Sequence, residues 1–236
     1  MNRGIVYLIP TVIADDTEQD VITNQVRDVI LSLDYFLVED IRTARRYISK
    51  LNLGIAIDDL HFELVDKHTS PDQVNRLLDA VSDGTNVGVM SESGCPGIAD
   101  PGALVAAHAH ERGLQVIPLS GPSSILMALM ASGFNGQSFV FHGYIPIDKK
   151  DRQDKIKSME RDAIRLQQTQ IFMDTPYRNQ KLFEDLIAVC SGSTKLCVAR
   201  EISGSDELIK TKPIAEWKKT KINLHKIPTI FCMLGG

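Results

Sequence analysis

The chain has 236 residues, with 26 Lys plus Arg, 30 Asp plus Glu, 43% hydrophobic and 24% charged residues. That balance excludes wholesale disorder, and 16 Gly with 10 Pro exclude collagen-like or low-complexity classes. Apolar runs such as 125–131 fall far short of the ~20 residues of a membrane span. Pro10 breaks the early apolar stretch, which lacks the form of a secretory leader, so the cytosol is the expected compartment.

In chain order, Ile5 to Ile9 reads as a strand ending at Pro10, and Val21, Val26, Ile30 and Leu33 fall at helical spacing. Tyr35 to Val38 reads as a strand and Arg42 to Leu51 as a helix. Ser70, Pro71 and Asp72 form a helix start ahead of Val74, Leu77, Leu78 and Val81, and Gly84 closes that helix. Asn86 to Met90 is the next strand. The loop SGCPGIADPG follows at 93–102, then a helix from Leu104 to Arg112 and a strand from Gln115 to Leu119. The loop SGPSS at 120–124 opens a helix from Ile125 to Ala131. Beyond it lie a strand from Phe139 to His142, a polar helix over 150–168, and a strand from Gln170 to Met173. A helix from Gln180 to Val189 and strands at Lys195–Ala199, Leu208–Lys210 and Thr229–Leu234 complete the chain. Strands alternating with helices predict an α/β protein, with continuous apolar strands in largely parallel sheets.

Charge divides the chain. Residues 1–117 carry 9 basic and 18 acidic residues, a net of −9, and residues 118–236 carry 17 and 12, a net of +5. The expected domains are 1–117 and 118–236. The basic second half fits either an ordinary solvated surface or one facing a polyanion such as RNA. The densest basic stretch, Lys149 to Arg165, is interleaved with acids and reads as an exposed, charge-laced helix. Of the four cysteines, three are expected to be buried as small hydrophobes. None has metal-ligand spacing, so no metal is expected.

The loops at 91–102 and 120–124 each follow a strand directly, where open α/β sheets bind ligands. Small residues there admit a ligand close to the backbone. Neither GxxxxGK[ST] nor GxGxxG occurs, which argues against a P-loop or a dinucleotide site.

Several runs resemble the tetrapyrrole methylase superfamily. VGVMSESGCPGIADPGALV at 87–105 is similar to its SDAGTPLISDPG segment, and VIPLSGPSSILMALMASGF at 116–134 to VPIPGPSA…ALSASG. SFVFHGYIP (138–146), TQIFMDTPYR (169–178), VAREIS (198–203) and VEDIR (38–42) resemble F-x-F-x-G-F-L-P, IFYESPHR, VARELT and AEDTR. The resemblance runs from residue 5 to about 217. It is strongest to the ribosomal RNA small-subunit methyltransferase I branch, which 2′-O-methylates a cytidine of 16S rRNA. The sequence departs from the family at 10–16 (PTVIADD, with Ala14 for glycine), at Glu92 and Cys95, at Asp66–Lys67, and at 226–228, where KGE is KIP.

The resemblance implies two α/β domains with mainly parallel or mixed sheets, and S-adenosyl-L-methionine held in a cleft between them in a homodimer. It places Pro10, Ser93, Gly94, Cys95, Ile98, Ser123, Ser124 and Asp174 at the cofactor. It places Arg178 and Arg200 at an RNA substrate, where a structural salt bridge is the alternative, and it marks Glu201 as a matching position. A methyl on a positive sulfur is already electrophilic, so transfer needs no metal, but a ribose hydroxyl needs a general base. Glu39 and Asp40 are the candidates, with Arg42 to hold a carboxylate or meet a phosphate. His68 is a further candidate that also reads as structural. The expected partner is ribosomal RNA or the 30S subunit. Two other readings stand beside it: a methyltransferase acting on a tetrapyrrole or other small molecule, and a non-catalytic protein that binds S-adenosylmethionine.

Overall fold

A computed structural model describes residues 3–236. The chain divides into two compact units, one ending at Ser123 and the other running from Ser124 to Gly236.

The first unit contains β1 (Ile5–Ile9), α1 (Glu18–Val21), α2 (Asn24–Leu31), β2 (Tyr35–Val38), α3 (Ile41–Lys50) and β3 (His61–Leu64). It continues with α4 (Pro71–Leu77), α5 (Asp79–Ser82), β4 (Val87–Met90), α6 (Gly102–Glu111) and β5 (Gln115–Pro118). Its sheet has the order β3-β2-β4-β1-β5, and every pairing is parallel. Period-two alternation sends successive side chains to opposite faces. Phe36 and Val38 therefore pack with Val26, Ile30, Tyr47 and Ile48, while Tyr35 and Leu37 pack with Val74, Leu78, Val105 and Ala109. All four residues of β2 and of β4 are buried, which accounts for their continuous apolar sequence.

Three details differ from the sequence expectation, one being that the helix expected from Ser70 to Gly84 divides at Leu78 into α4 and α5. The apolar period from Val21 to Leu33 spans two helices, because Thr23 takes extended backbone and its hydroxyl caps α2 by accepting from the Val26 amide. Strand β3 was not expected. It lies at the sheet edge with exposed ends, so its HFEL sequence carries little apolar signal. The Ser70 start is as expected, with reciprocal bonds between Ser70 and Gln73.

The second unit contains α7 (Ser124–Ser132), β6 (Phe139–Tyr144), α8 (Lys149–Leu166), β7 (Thr169–Met173), α9 (Asn179–Val189), β8 (Lys195–Arg200), β9 (Leu208–Pro213), α10 (Ile214–Trp217) and β10 (Thr229–Leu234). Its sheet has the order β6-β7-β10-β8-β9. Only β6 and β7 pair in parallel; the other three pairings are antiparallel. This sheet is thus mixed, which the family resemblance allows, and not largely parallel as the strand alternation alone predicts. Seven residues join β8 to β9, too few for the crossover that parallel strands require. Phe172, Phe231, Leu196 and Val198 pack with Ile156, Leu182 and Trp217 in this unit's core. Arg152, nearly buried, ties α8 to α9 through Asp185 at 2.7 Å.

Cys190, Cys197 and Cys232 are buried, as expected, and burial pushes the Cys190 thiol up to about 12. Among the described residues, no helix is long and apolar enough to cross a membrane.

Candidate functional site

Because the first sheet is parallel throughout, the carboxyl ends of its strands share one edge, the edge where ligands of such sheets bind. The loops after β1, β4 and β5 close on one another there. The Thr11 amide donates to the Gly94 carbonyl at 2.9 Å, and the Thr11 hydroxyl to the Ser91 carbonyl at 3.4 Å. The Ser91 hydroxyl lies 3.3 Å from the Ser93 carbonyl. The Cys95 thiol lies 3.3 Å from the Pro122 carbonyl, and burial raises its pKa. The Tyr47 hydroxyl donates to the Pro10 carbonyl at 3.0 Å, which fixes the start of the first loop.

Two glycines permit this approach. Gly94 has φ +76°, and a Cβ there would lie 3.2 Å from Ile13 Cγ2 and 3.4 Å from the Pro122 carbonyl oxygen. A Cβ on Gly121 would lie 2.2 Å from Pro10 Cβ, an impossible contact. The structure therefore brings Pro10, Ser93, Gly94 and Cys95 to one place with Gly121 and Pro122. Ile98 stays 44% exposed on the same loop. Ser123 ends the first unit and Ser124 begins α7 in the second.

Asp100 belongs to this loop, although nothing in the sequence singled it out. Its Oδ1 accepts from the Gly97 and Gly102 amides at 2.8 and 2.6 Å. Its Oδ2 is buried without a partner. The only signal for it in the sequence is the ADPG turn that it shapes.

Glu39 and Asp40 follow β2 but differ in surroundings. Glu39 is half-buried, and its Oε2 accepts from the Glu92 amide at 3.3 Å. Burial holds its pKa above the usual glutamate range; the Glu92 amide opposes this, and the Glu92, Asp100 and Asp66 carboxylates reinforce it. Asp40 is exposed and caps α3, accepting from the Thr43 amide at 2.7 Å, and that bond holds its carboxyl below the ordinary range. A pocket of about 540 Å³ beside them is lined by Asp40, Ile41, Arg42, Thr43, Leu64 and Glu92. The Arg42 side chain is exposed and makes no hydrogen bond or ion pair among the described residues. His68 is also exposed; its amide donates to Asp66 at 2.8 Å, which keeps the Asp66 carboxyl low, and its ring makes no hydrogen bond there.

In the second unit, the buried Asp174 follows β7. Its Oδ1 accepts from the Thr175 amide at 2.8 Å and from Arg178 Nε at 2.7 Å, with Arg178 Nη2 also on it. Its Oδ2 is buried without a partner. The Arg178 guanidinium is thus engaged in the salt bridge that was the alternative to an RNA contact. Arg200 Nη1 donates to the Asn223 carbonyl at 3.2 Å, while its Nε is buried and unpartnered. Glu201 turns with φ +50°, and its amide donates to Pro228 at 3.1 Å.

A sequence profile of the Tetrapyrrole (Corrin/Porphyrin) Methylases matches residues 18–218. A protein of Vibrio cholerae serotype O1 named Ribosomal RNA small subunit methyltransferase I is 31% identical over 212 residues, covering 90% of this chain and 69% of that one. Its namesake in Escherichia coli O157:H7 is 28% identical, covering 99% and 79%. Among solved structures, diphthine synthase has a TM-score of 0.69 at 12% identity, covering 98% of this chain and 89% of that one. The methyltransferase CobJ has a TM-score of 0.64 at 17% identity, covering 100% and 95%. These two likenesses concern the fold.

Proposed function

Since the chain belongs to the tetrapyrrole (corrin/porphyrin) methylase family and is an S-adenosylmethionine-dependent methyltransferase, we propose that its methyl acceptor is a ribose hydroxyl of small-subunit ribosomal RNA. The observation that carries this reading is the match to the Vibrio cholerae protein over 90% of the chain. The net charge of +5 on residues 118–236 supports it. A tetrapyrrole acceptor is supported by the description of the matching family, whereas the solved structures at 12% and 17% identity speak for the fold alone.

The residues of the first unit fit the cofactor. Gly94 and Gly121 leave the backbone open at the sheet edge, and the nearby Glu39, Glu92 and Asp100 carboxylates suit a sulfonium cation. Pro10, Ser93, Gly94, Cys95, Ile98 and Ser123 are the residues that would hold it. In the second unit, the unpartnered Oδ2 of Asp174 is available to a polar ligand atom, and Ser124 at the start of α7 completes the proposed set. When bound, the cofactor supplies a methyl group made electrophilic by its positive sulfur.

Glu39 is the general base of this proposal. One of its oxygens is tied to the Glu92 amide and the other is free to take the hydroxyl proton, while its raised pKa makes it the stronger base of the two carboxylates. Asp40 shapes the start of α3, and Arg42 meets a phosphate of the acceptor. Arg178 positions Asp174. The cytoplasm is the proposed compartment, since ribosomal RNA is there. The boundary between the two proposed domains falls near 117–123. A homodimer is also part of the proposal, supported by the exposure of Met130 (81%) and Ile147 (73%), and sedimentation measures it.

Incubation with radiolabelled S-adenosylmethionine and 30S subunits lacking their own modification tests the acceptor. Label in 16S rRNA, lost with Glu39→Gln, is the expected result. Label in a tetrapyrrole and none in RNA overturns it.

A further inference from the structure

The segment between α10 and β10 carries Lys218, Lys219, Lys221, His225 and Lys226, and residues 218–228 contain no acid. All five are exposed. The four lysines make no ion pair among the described residues. Lys226 Nζ lies 5.7 Å from the centroid of the Tyr177 ring, which is itself 70% exposed.

This segment is held firmly for a loop. Trp217 is buried at its start and donates from Nε1 to the Leu196 carbonyl at 2.8 Å. Leu224 is fully buried, and its amide donates to Gln180 Oε1 at 2.9 Å. The Lys226 amide donates to the Pro176 carbonyl at 2.9 Å, and Asn179 Nδ2 to the Ile227 carbonyl at 2.7 Å. Arg200 Nη1 holds Asn223. These bonds keep Lys226 at φ +61°, a left-handed backbone that a non-glycine residue adopts only when its surroundings impose it. A basic strip is thereby fixed beside an exposed aromatic ring and next to Arg200, whose buried Nε has no partner.

We propose that residues 218–226 and Tyr177 form a docking surface for single-stranded RNA, with the lysines meeting phosphates and the tyrosine stacking on a base. The inference rests on the RNA reading above and names the surface that would serve it. Cations interleaved with an aromatic face are how proteins hold single strands without reading sequence. An acidic peptide would use the cations but leave the ring without a role. The other basic stretch, α8, is less suited, since Arg152 is buried on Asp185, Arg165 pairs with Asp162, and acids lie between its lysines.

The test is fluorescence anisotropy of a short unstructured oligoribonucleotide with the full-length protein across a salt series. The Lys219→Gln/Lys221→Gln/Lys226→Gln variant should reduce the slope of log affinity against log salt by ~2, at ~0.7 per lost phosphate contact. Tyr177→Ala should weaken binding roughly 5- to 100-fold while leaving the slope unchanged, and Tyr177→Phe should restore it. Lys157→Gln/Arg161→Gln on α8 should change neither. Unaltered S-adenosylhomocysteine binding in every variant reports an intact fold. If the wild type binds RNA and the loop variants bind as well as it does, the docking surface is wrong and the RNA reading stands. If the wild type shows no salt-dependent RNA binding, the RNA reading fails and takes this proposal with it. Equal loss of polyglutamate binding in the lysine variant, with Tyr177→Ala silent toward RNA, shows a general anion surface and overturns the proposal.

Discussion

Glu39 and Asp40 are adjacent in sequence, yet the surroundings of one carboxyl raise its pKa and those of the other lower it. Burial is the largest influence on Glu39, and the Thr43 amide on Asp40. A base works only when ionised, so the rate should fall as pH drops through the Glu39 pKa. Because that pKa is raised, the fall begins above the ordinary glutamate range. A pH profile of kcat checks this, and Glu39→Gln should remove the acid limb and lower kcat by about 10²- to 10⁴-fold. S-adenosylhomocysteine binding, read by calorimetry, should persist in that variant. A fully active Glu39→Gln enzyme would sink the assignment. Gly121→Ala makes a different point, because its new methyl would overlap Pro10. The two loops must separate, at a cost of about 1–3 kcal/mol in urea unfolding, with weakened S-adenosylhomocysteine binding.

Between elements, the Arg152–Asp185 pair joins α8 to α9 with both side chains nearly buried, and Arg152 Nη1 also donates to the Ile147 carbonyl at 2.6 Å. Asp185→Ala leaves a buried cation unpaired and should cost about 3–5 kcal/mol. Arg152→Met with Asp185→Leu should recover much of that loss, since apolar replacement of a buried pair is often neutral. Urea midpoints of the three proteins decide this. At the start of α4, the reciprocal Ser70–Gln73 bonds predict that Ser70→Ala costs ~1 kcal/mol in the same measurement.

Across the molecule, each unit has its own sheet and its own core, and the single tryptophan, Trp217, lies in the second core. If the units unfold as separate domains, Trp217 fluorescence and far-ultraviolet circular dichroism should give different urea midpoints. Asp185→Ala should then shift the fluorescence transition and only part of the dichroism transition. Coincident curves for both proteins would count against two independent domains.

Much of the fold was legible because its signals are local. The apolar runs Tyr35–Val38 and Thr229–Leu234, the Ser70 cap and the small-residue loops each express a need of the nearby backbone or of a strand buried on both faces. The order of those loops and of VEDIR, TPYR and VAREIS identified the family, and with it the methyltransferase chemistry and the cofactor. Strand β3, the break at Thr23 and the antiparallel pairings of the second sheet were not legible, because an edge position, a single cap and a choice of neighbour leave little periodic trace. Only the tertiary structure separated Glu39 from Asp40, engaged Arg178 with Asp174, left Oδ2 of Asp100 without a partner, and set Lys226 over Tyr177. The reason is physical. Residue type and spacing fix what a side chain can do, whereas burial, field and partner come from segments far away in the chain.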